Sequence, residues 1–270
     1  MQFTETAYAK INLALHVRKR RDDGYHEIET LFAFVDQGDV LTAEPAQEDR
    51  LGLSGEFVDA LSAPFGNLVT QALGVLPRAN GLSIMLEKNL PVAAGLGGGS
   101  ADAGAIFRLI EQLHGLPDDW QERATKLGAD VPACVRSQTA VGRGIGDILE
   151  PVENTIAGMP VLLVNPRTIL QTGPVFRGWD GVDRGELPTG DPKSIAQAGR
   201  NDLEAPAIEL CPAIGEILKV LGETDPWLAR MSGSGASCFA LYETQARLDL
   251  AAQKLKATHP EWWMMQGRIR

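Results

Sequence analysis

The sequence of 270 residues and 29.0 kDa is long enough for about two packed domains, and 44% hydrophobic with 22% charged residues is typical of a globular protein. A net charge of −10 opposes binding to polyanions, so nucleic acids and anionic membranes are excluded as favoured partners. Because the three cysteines and four histidines are scattered, we expect neither disulfides nor a preformed metal site. No stretch reaches the roughly 18 apolar residues of a membrane span, and we expect a cytoplasmic protein.

Hydrophobic periodicity predicts alternating strands and helices in the first half of the chain. In chain order these are strands over 3–17 and 27–36 separated by a charged turn over 18–24, a helix over 67–76, a strand over 82–86, a helix from Ser100 and a helix before Gly128. Lys10 and Asn12 share one face of the first strand, opposite the apolar Ile11.

The second half is predicted to form a further mixed block. Its elements are extended segments near 139–149 and 160–165, an exposed loop over 178–193, a helix over 203–221, a Gly/Ser loop over 232–237, a strand over 238–242, a helix over 245–256 and a last strand with Trp262 and Trp263. Pro151 follows the last strand of the first block, so we place the two domains at 1–150 and 151–270. The sequence does not indicate an oligomeric state.

The most distinctive local feature is the run Gly95-Leu96-Gly97-Gly98-Gly99, in a chain with 29 glycines. Successive glycines let main-chain N–H groups converge, and a helix N-terminus adds its dipole, so the pattern favours phosphate binding. We expect Ser100 to cap the helix or to offer its hydroxyl to phosphate or Mg²⁺, with Asp102 in the first turn. The spacing matches neither a P-loop nor the dinucleotide fingerprint, and a plain strand-to-helix turn is the alternative.

Lys10 and Asp130 are candidates for phosphoryl transfer. An Asp that hydrogen-bonds the attacking hydroxyl can accept its proton, and a nearby Lys can hold the carboxylate ionised and face developing charge. Asp130 lies among small and apolar residues before Pro132, where a helix cap or turn explains it equally well. For Lys10, a strand lysine that extends its ammonium to solvent is the alternative.

The central motif of the GHMP small-molecule kinases, a loop that surrounds the phosphates of ATP, is similar to the segment Pro91-Val92-Ala93-Ala94-Gly95-Leu96-Gly97-Gly98-Gly99-Ser100-Ala101-Asp102. Further motifs that match in order are Ala9-Lys10-Ile11-Asn12-Leu13, Asp23-Gly24-Tyr25-His26-Glu27 with Thr30-Leu31-Phe32, Leu127-Gly128-Ala129-Asp130-Val131-Pro132, Asn201-Asp202-Leu203-Glu204 and Ser232-Gly233-Ser234-Gly235-Ala236. The resemblance covers nearly the whole chain. It implies an α+β GHMP kinase fold, with a ribosomal-protein-S5-like N-terminal domain, a ferredoxin-like C-terminal domain and substrates in the cleft.

The resemblance also implies a role for each matching residue. Lys10 and Asp130 would be the catalytic pair, with Asp130 activating the reacting hydroxyl. The residues expected to bind ATP are Pro91, Val92, Ala93, Ala94, Gly95, Leu96, Gly97, Gly98, Gly99, Ser100 and Ala101 around the phosphates, and Asn67 and Lys88 on the adenosine side. The residues expected to bind the acceptor are Asn12, Tyr25, His26, Phe32 and Phe176, with Tyr25 and Phe176 covering a cytosine ring. The Phe176 segment matches only loosely. For Tyr25 a half-buried turn aromatic is the alternative, and for Asn67 and Lys88 it is an ordinary surface polar residue.

The motif order implies the branch of the family that uses ATP and Mg²⁺ to phosphorylate the C2 hydroxyl of a cytidine diphosphate-linked methylerythritol in non-mevalonate isoprenoid biosynthesis. Mg²⁺ would be held mostly by ATP oxygens and water, because the chain shows no clustered carboxylates. The alternatives are another GHMP kinase, for homoserine, mevalonate or a sugar, and a nucleotide-binding regulator that has lost catalysis. Segments 113–128 and 171–193 depart from the family pattern, which affects loops but leaves both members of the catalytic pair in place.

Overall fold

The computed structural model describes residues 2–61 and 67–270. The chain divides into two compact units that interleave along the sequence. Unit 1 takes its described residues from 1–10, 38–92 and 97–137, and unit 2 consists of 11–37, 93–96 and 138–270. Because each unit is built from several segments of the chain, the units do not test the domain boundary predicted near residue 150, and that boundary stays a prediction.

The described residues of unit 1 form strands of one sheet and four α-helices. Its strands are the first part of β1 (Phe3–Arg20), the second part of β2 (His26–Ala46), β3 (Arg50–Ser54) and β4 (Gly81–Glu87). β1 pairs with β2, β2 pairs antiparallel with β4, and β4 pairs parallel with β3. Its helices are α1 (Leu68–Val75), α2 (Gly98–His114), α3 (Trp120–Leu127) and α4 (Val131–Arg136), with a short 3-10 helix at Val58–Ala60.

Unit 2 contains the first part of β2, which pairs antiparallel with β5 (Ala140–Arg143), and β6 (Ile148–Pro151), which pairs with β5. It also holds a four-stranded antiparallel sheet made of β7 (Pro160–Asn165), β8 (Leu228–Met231), β9 (Cys238–Leu241) and β10 (Trp263–Arg268). Its helices are α5 (Thr172–Arg177), α6 (Pro192–Ala198), α7 (Glu204–Leu210), α8 (Ala213–Gly222) and α9 (Gln245–Thr258).

The C-terminal sheet has the ferredoxin-like arrangement. Along the chain, β7, α8, β8, β9, α9 and β10 follow the β-α-β-β-α-β order, and in the sheet the strands lie in the order β10-β7-β9-β8. The expected ferredoxin-like C-terminal fold is therefore confirmed. Among the described residues, no helix has both the length and the apolar character that crossing a membrane requires.

Two local expectations are corrected by the structure, and one helix is added to those expected. The helix expected over 203–221 is two helices, because Pro212 cannot donate a backbone hydrogen bond and separates α7 from α8. The turn expected over 18–24 is shorter, since β1 continues to Arg20. The segment after Asp130 is a short helix, α4, which the periodicity did not reveal because six residues span fewer than two turns.

β1 is covered on both faces. Ile11 is 0% exposed on one face, and Lys10 and Asn12 are 4% and 2% exposed on the other. Lys10 and Asn12 share one face of β1 as expected, and that face is buried although both side chains are polar. Such groups are stable in the interior only when they are paired, so their partners indicate where the site lies.

Gly104 of α2 faces the backbone of Cys134 in α4, where the two helices are in close contact. A Cβ at Gly104 would lie 2.6 Å from the backbone carbonyl carbon of Cys134. Because α4 follows Asp130 directly, this contact fixes how closely the helix that begins after the glycine run approaches the candidate base.

We predict that Gly104→Ala lowers the free energy of unfolding by about 2 kcal/mol, since the added methyl group must push two backbones apart. Gly74→Ala is the matched control, because a Cβ there meets nothing within 4 Å and α1 gains about 0.5–1 kcal/mol from the better helix former. Urea unfolding of both variants measures the two effects. Equal stability of the two variants would contradict the close approach of α2 and α4.

Candidate active site

The glycine run lies in a loop that ends in a helix N-terminus. Ala93, Gly95 and Gly97 have positive φ values of 52°, 74° and 63°. Gly97 is the N-cap of α2, and the first hydrogen bond within the helix joins Ala101 N–H to Gly97 O at 2.7 Å. The amides of Gly98, Gly99 and Ser100 precede that bond, which is the arrangement that binds anions.

Two details of this helix start differ from expectation. The helix begins at Gly98, so Ser100 is not its N-cap, and the N-cap Gly97 makes no side-chain hydrogen bond. Asp102 is not in the first turn but is buried, with 2% of its surface exposed. A left-handed residue ends the loop at Gly97 instead, because glycine adopts that conformation without strain.

Two lysines explain why this turn contains adjacent glycines. A Cβ at Gly97 would lie 3.0 Å from Cε of Lys10, and a Cβ at Gly98 would lie 3.1 Å from Nζ of Lys88. Both lysine side chains therefore approach the backbone at the start of α2, where positive charge favours a bound phosphate.

Lys10 and Asp130 form the expected pair. Nζ of Lys10 donates to Oδ2 of Asp130 at 2.8 Å, with side-chain exposures of 4% and 36%. The ammonium of Lys10 is therefore not extended to solvent. Asp130 occupies the N-cap position of α4 but makes no capping bond with its side chain, so the helix-cap explanation is also wrong.

Cys134, on α4, lies close to this pair but cannot act as a nucleophile. Burial, and next the negative charge of Asp130, raise the pKa of its thiol to about 12. The thiol therefore stays protonated at neutral pH and serves the packing of α4.

A second ionic cluster lies beneath the start of α2. Lys88, Asp39 and Asp102 are all buried, and the ammonium of Lys88 donates to Asp39 and, at 2.8 Å, to Asp102. Oδ1 of Asp39 also accepts the backbone N–H groups of Asn89 at 2.6 Å and Leu90 at 2.7 Å. The cluster thus holds the end of β4 and the middle of α2 on either side of the glycine run.

The charge of this cluster depends on one proton. Burial raises the pKa of Asp102 to about 8, although the charge of Lys88 works in the opposite direction. For Lys88, burial acts to lower the pKa, but the two carboxylates outweigh it and the pKa is raised. Within the described chain, Oδ1 of Asp102 has no hydrogen-bond partner. With Asp102 protonated, the cluster is neutral and places no net negative charge under the phosphate loop.

The two residues expected on the adenosine side have partners inside the protein. Oδ1 of Asn67 accepts the N–H of Val69 at 2.9 Å and caps α1. The neighbouring Leu68 would lie 3.4 Å from a Cβ at Gly99, so the start of α1 adjoins the glycine run. Lys88 is 2% exposed and could reach a ligand through its ammonium only by leaving two ion pairs. Both adenosine contacts stay predictions.

In unit 2, Asn12 belongs to a buried hydrogen-bond network. Its side-chain amide donates to Oγ1 of Thr30 at 2.8 Å, and its backbone N–H donates to Oγ of Ser232 at 3.2 Å. Ser232 in turn donates to the carbonyl of Gly95 at 2.8 Å, and Asn201 donates to the carbonyls flanking Ser232. The Gly/Ser loop expected over 232–237 is therefore hydrogen-bonded to residues 93–96, the part of the glycine loop that belongs to unit 2.

The aromatic residues expected to bind a base are partly brought together. Tyr25 is 59% exposed at the turn after β1. The ring centroids of His26 and Phe176 are 5.0 Å apart, so the loosely matched Phe176 does adjoin the motif. Phe32 is 1% exposed and packs where a Cβ at Gly142 would lie 2.5 Å from its ring. Its side chain is part of the core, and the structure does not support its expected contact with the acceptor.

Trp179 and Arg20 are two neighbours of His26 that the sequence did not indicate. Trp179 packs edge-on against His26 at 5.9 Å, and the guanidinium of Arg20 lies 5.7 Å from the Trp179 ring. Burial and the charge of Arg20 lower the pKa of His26, which keeps its imidazole neutral. Trp179 was missed because its surroundings have the composition of an exposed loop, although its own side chain is 3% exposed.

Comparisons with known proteins agree with the sequence motifs. Residues 67–138 match the GHMP kinases N terminal domain, and residues 184–261 match the GHMP kinases C terminal family. The chain is 63% identical to the 4-diphosphocytidyl-2-C-methyl-D-erythritol kinase of Erythrobacter litoralis (strain HTCC2594), over 99% of each protein.

Solved structures show the same relationship. A crystal structure of a 4-(cytidine 5'-diphospho)-2C-methyl-D-erythritol kinase superposes with a TM-score of 0.79 at 32% identity, over 99% of each chain. The homoserine kinase of Cytophaga hutchinsonii superposes with a TM-score of 0.71 at 17% identity, over 99% of this chain and 95% of that one. This second similarity shows the shared fold alone, so the acceptor has to be argued from the site.

We predict that Asp102→Asn becomes more stable relative to wild type as pH rises from 5 to 8. Because the folded pKa of Asp102 is raised to about 8, wild type loses stability with increasing pH up to that value, by up to about 1.4 kcal/mol per pH unit. An amide does not titrate, so the variant lacks this loss. Urea unfolding of both proteins at pH 5, 6, 7 and 8 measures the difference, and a difference that is constant with pH would contradict the buried proton.

Proposed function

The chain belongs to the 4-diphosphocytidyl-2-C-methyl-D-erythritol kinases, a family of GHMP kinases, and we propose that it transfers the γ-phosphoryl group of ATP to the C2 hydroxyl of that cytidine diphosphate compound. The products are the 2-phosphate and ADP. The observation that carries the proposal is the 2.8 Å ion pair of Lys10 and Asp130 beside the N-terminus of α2.

Asp130 is the proposed general base. Its carboxylate is 36% exposed, so a hydroxyl can reach an oxygen while Lys10 holds the other side of the group. As the C2 oxygen bonds to the γ-phosphorus, its proton passes to Asp130, and the bond from the γ-phosphorus to the bridging oxygen breaks to release ADP. The ammonium of Lys10 stabilises the negative charge that develops on the transferred phosphoryl group during this step.

The start of α2 fits the phosphates of ATP. The first amides of the helix are directed away from it, and Gly98 and Gly99 have no side chain to cover them. The side chains of Lys10 and Lys88 lie next to Gly97 and Gly98. Mg²⁺, when bound, would neutralise phosphate charge and polarise the transferred group. Among the described residues, no three His, Cys, Asp or Glu side chains are grouped to hold a metal. The hydroxyl of Ser100 is the side-chain oxygen on the loop suited to Mg²⁺, and ATP oxygens and water would complete its shell.

Recognition of cytosine is assigned to Tyr25, His26 and Phe176. The exposed ring of Tyr25 can stack on a base, and a neutral imidazole offers one donor and one acceptor to the amino group and the N3 and O2 acceptors of cytosine. Phe176 packs at 5.0 Å from His26 and offers a second apolar face. Asn12, fixed by Thr30 and Ser232, is proposed to orient the methylerythritol part.

We predict that Asp130→Asn and Lys10→Met each lower kcat by about 10²–10⁴-fold, the range expected when a positioned base or its charged partner is lost. ADP release with purified protein, MgATP and the cytidine diphosphate substrate measures this. Asp119→Asn and Lys126→Met are matched controls, because both residues form exposed ion pairs on α3 and should leave kcat unchanged.

Two results would overturn the assignment. Phosphorylation of homoserine or mevalonate but not of the cytidine compound would make the chain another GHMP kinase. No ATP consumption with any acceptor would favour a nucleotide-binding regulator. If the cytidine compound is phosphorylated but Asp130→Asn keeps wild-type kcat, the function stands and the base is a different group.

We predict that Tyr25→Ala and His26→Ala raise KM for the cytidine compound about tenfold or more and leave KM for ATP within about threefold, since base stacking contributes about 1–3 kcal/mol. Initial rates with each substrate varied in turn separate the two constants. Leu250→Ala is the control, because Leu250 is 67% exposed on α9 and is assigned no substrate. An unchanged KM for the cytidine compound would remove these residues from base recognition.

A further inference from the structure

Arg108 lies in the middle of α2 and has no role in the motifs that identify the family. Its guanidinium is half-buried and bonds to two other elements of unit 1, namely β1 and the end of α4. These are the strand that carries Lys10 and the helix that follows Asp130. Arg108 therefore joins the three elements on which the proposed transfer depends.

On the side of β1, Arg108 contacts three residues of the strand, namely Glu5, Thr6 and Tyr8. Nε donates to Oε1 of Glu5 at 2.9 Å, and Nη2 donates to the carbonyl of Thr6 at 2.7 Å. The guanidinium carbon lies 5.3 Å from the centroid of the Tyr8 ring. Lys10 follows on the same strand, about 13 Å beyond Thr6 at the usual rise.

On the side of α4, Arg108 satisfies the last carbonyls of the helix. Nη1 donates to the carbonyl of Cys134 at 2.6 Å and to Oγ of Ser137 at 3.0 Å. Ser137 is the left-handed C-cap of α4, and its hydroxyl also donates to the Cys134 carbonyl at 2.6 Å. Because Cys134 N–H bonds to the carbonyl of Asp130 at 3.0 Å, this anchor lies one helical turn from the proposed base.

The ion pair of Lys10 and Asp130 cannot set its own geometry. Asp130 is 36% exposed, so water competes for its carboxylate, and a single 2.8 Å contact between two side chains does not fix the approach of their backbones. α4 has only six residues, which is too short to be stable without tertiary contacts. The Arg108 side chain is better buried, at 14%, and holds both backbones through charged hydrogen bonds.

We infer that Arg108 is a positioning residue, which holds β1 and α4 so that Lys10 and Asp130 face the N-terminus of α2. The inference rests on the proposed function, because it takes this pair as the reacting groups. Arginine suits the role since its planar fork bonds in several fixed directions at once, whereas lysine offers a single point of charge.

The test compares Arg108→Lys with Arg123→Lys. Arg123 on α3 is a matched control, because it donates to the carbonyl of Val75 at 2.6 Å and to Asp119 at 2.8 Å but touches neither β1 nor α4 by a hydrogen bond. We expect Arg108→Lys to lower kcat at least tenfold with both KM values within threefold, because a small misplacement of reacting groups is costly. Arg123→Lys should leave kcat and both KM values unchanged.

Ser137→Ala is a second variant for the case that Arg108→Lys does not fold. It removes one hydroxyl contact, keeps Arg108, and should lower kcat about threefold with unchanged KM values. A loss of kcat in Arg108→Lys that is matched by Arg123→Lys, or an increase in KM that accounts for the loss of kcat/KM, would overturn the inference.

Hydrogen exchange separates this inference from the proposed function. Arg108→Lys should speed amide exchange in peptides covering 5–10 and 129–137, while Arg123→Lys should leave those peptides unchanged. If wild type does not phosphorylate the cytidine compound, the proposed function fails, and the exchange result still decides whether Arg108 holds the two segments. Unchanged exchange in 129–137 would overturn the positioning role whatever the activity.

Discussion

The pairing of a buried lysine, Lys10, with Asp130 is the constraint that the arrangement of β1, α2 and α4 has to satisfy. A lysine that is 4% exposed in the middle of a strand needs a charged partner, and Asp130 supplies it from a position where an aspartate would otherwise cap a helix. β1 and α4 must therefore approach each other, and α2 must allow it by presenting Gly104 to Cys134 and Arg108 to both elements. Gly104 leaves room for this approach, and the hydrogen bonds of Arg108 join the two elements that the pair needs close together.

An acidic protein that binds a nucleotide has to concentrate favourable charge locally. The chain carries a net charge of −10, yet the start of α2 combines the amides that precede its first hydrogen bond with the helix dipole, and Lys10 lies against it. The buried carboxylates Asp39 and Asp102 would work against this arrangement if both were ionised. A proton on Asp102 removes the excess negative charge, so the cluster can brace the loop without repelling phosphate.

The fold and the acceptor are decided by different parts of the molecule. The homoserine kinase shares the fold at 17% identity, so the architecture by itself is compatible with several acceptors. The part to which the proposal assigns the pyrimidine base is the aromatic group of Tyr25, His26 and Phe176. Arg20 contributes by keeping the neighbouring imidazole neutral, which preserves both a donor and an acceptor on that ring.

The sequence by itself determined the strand, glycine loop and helix, the ferredoxin-like order of the last elements, and the pairing of Lys10 with Asp130 through ordered motifs. Periodicity reports on neighbours within a few residues, so it could locate these segments but not choose partners from distant ones. Only the tertiary structure decided that Lys88 is enclosed by Asp39 and Asp102, that Phe32 is core, and that Trp179 packs on His26. It also moved the helix start from Ser100 to Gly98, because Gly97 takes the left-handed conformation, with a φ of 63°, at the N-cap position.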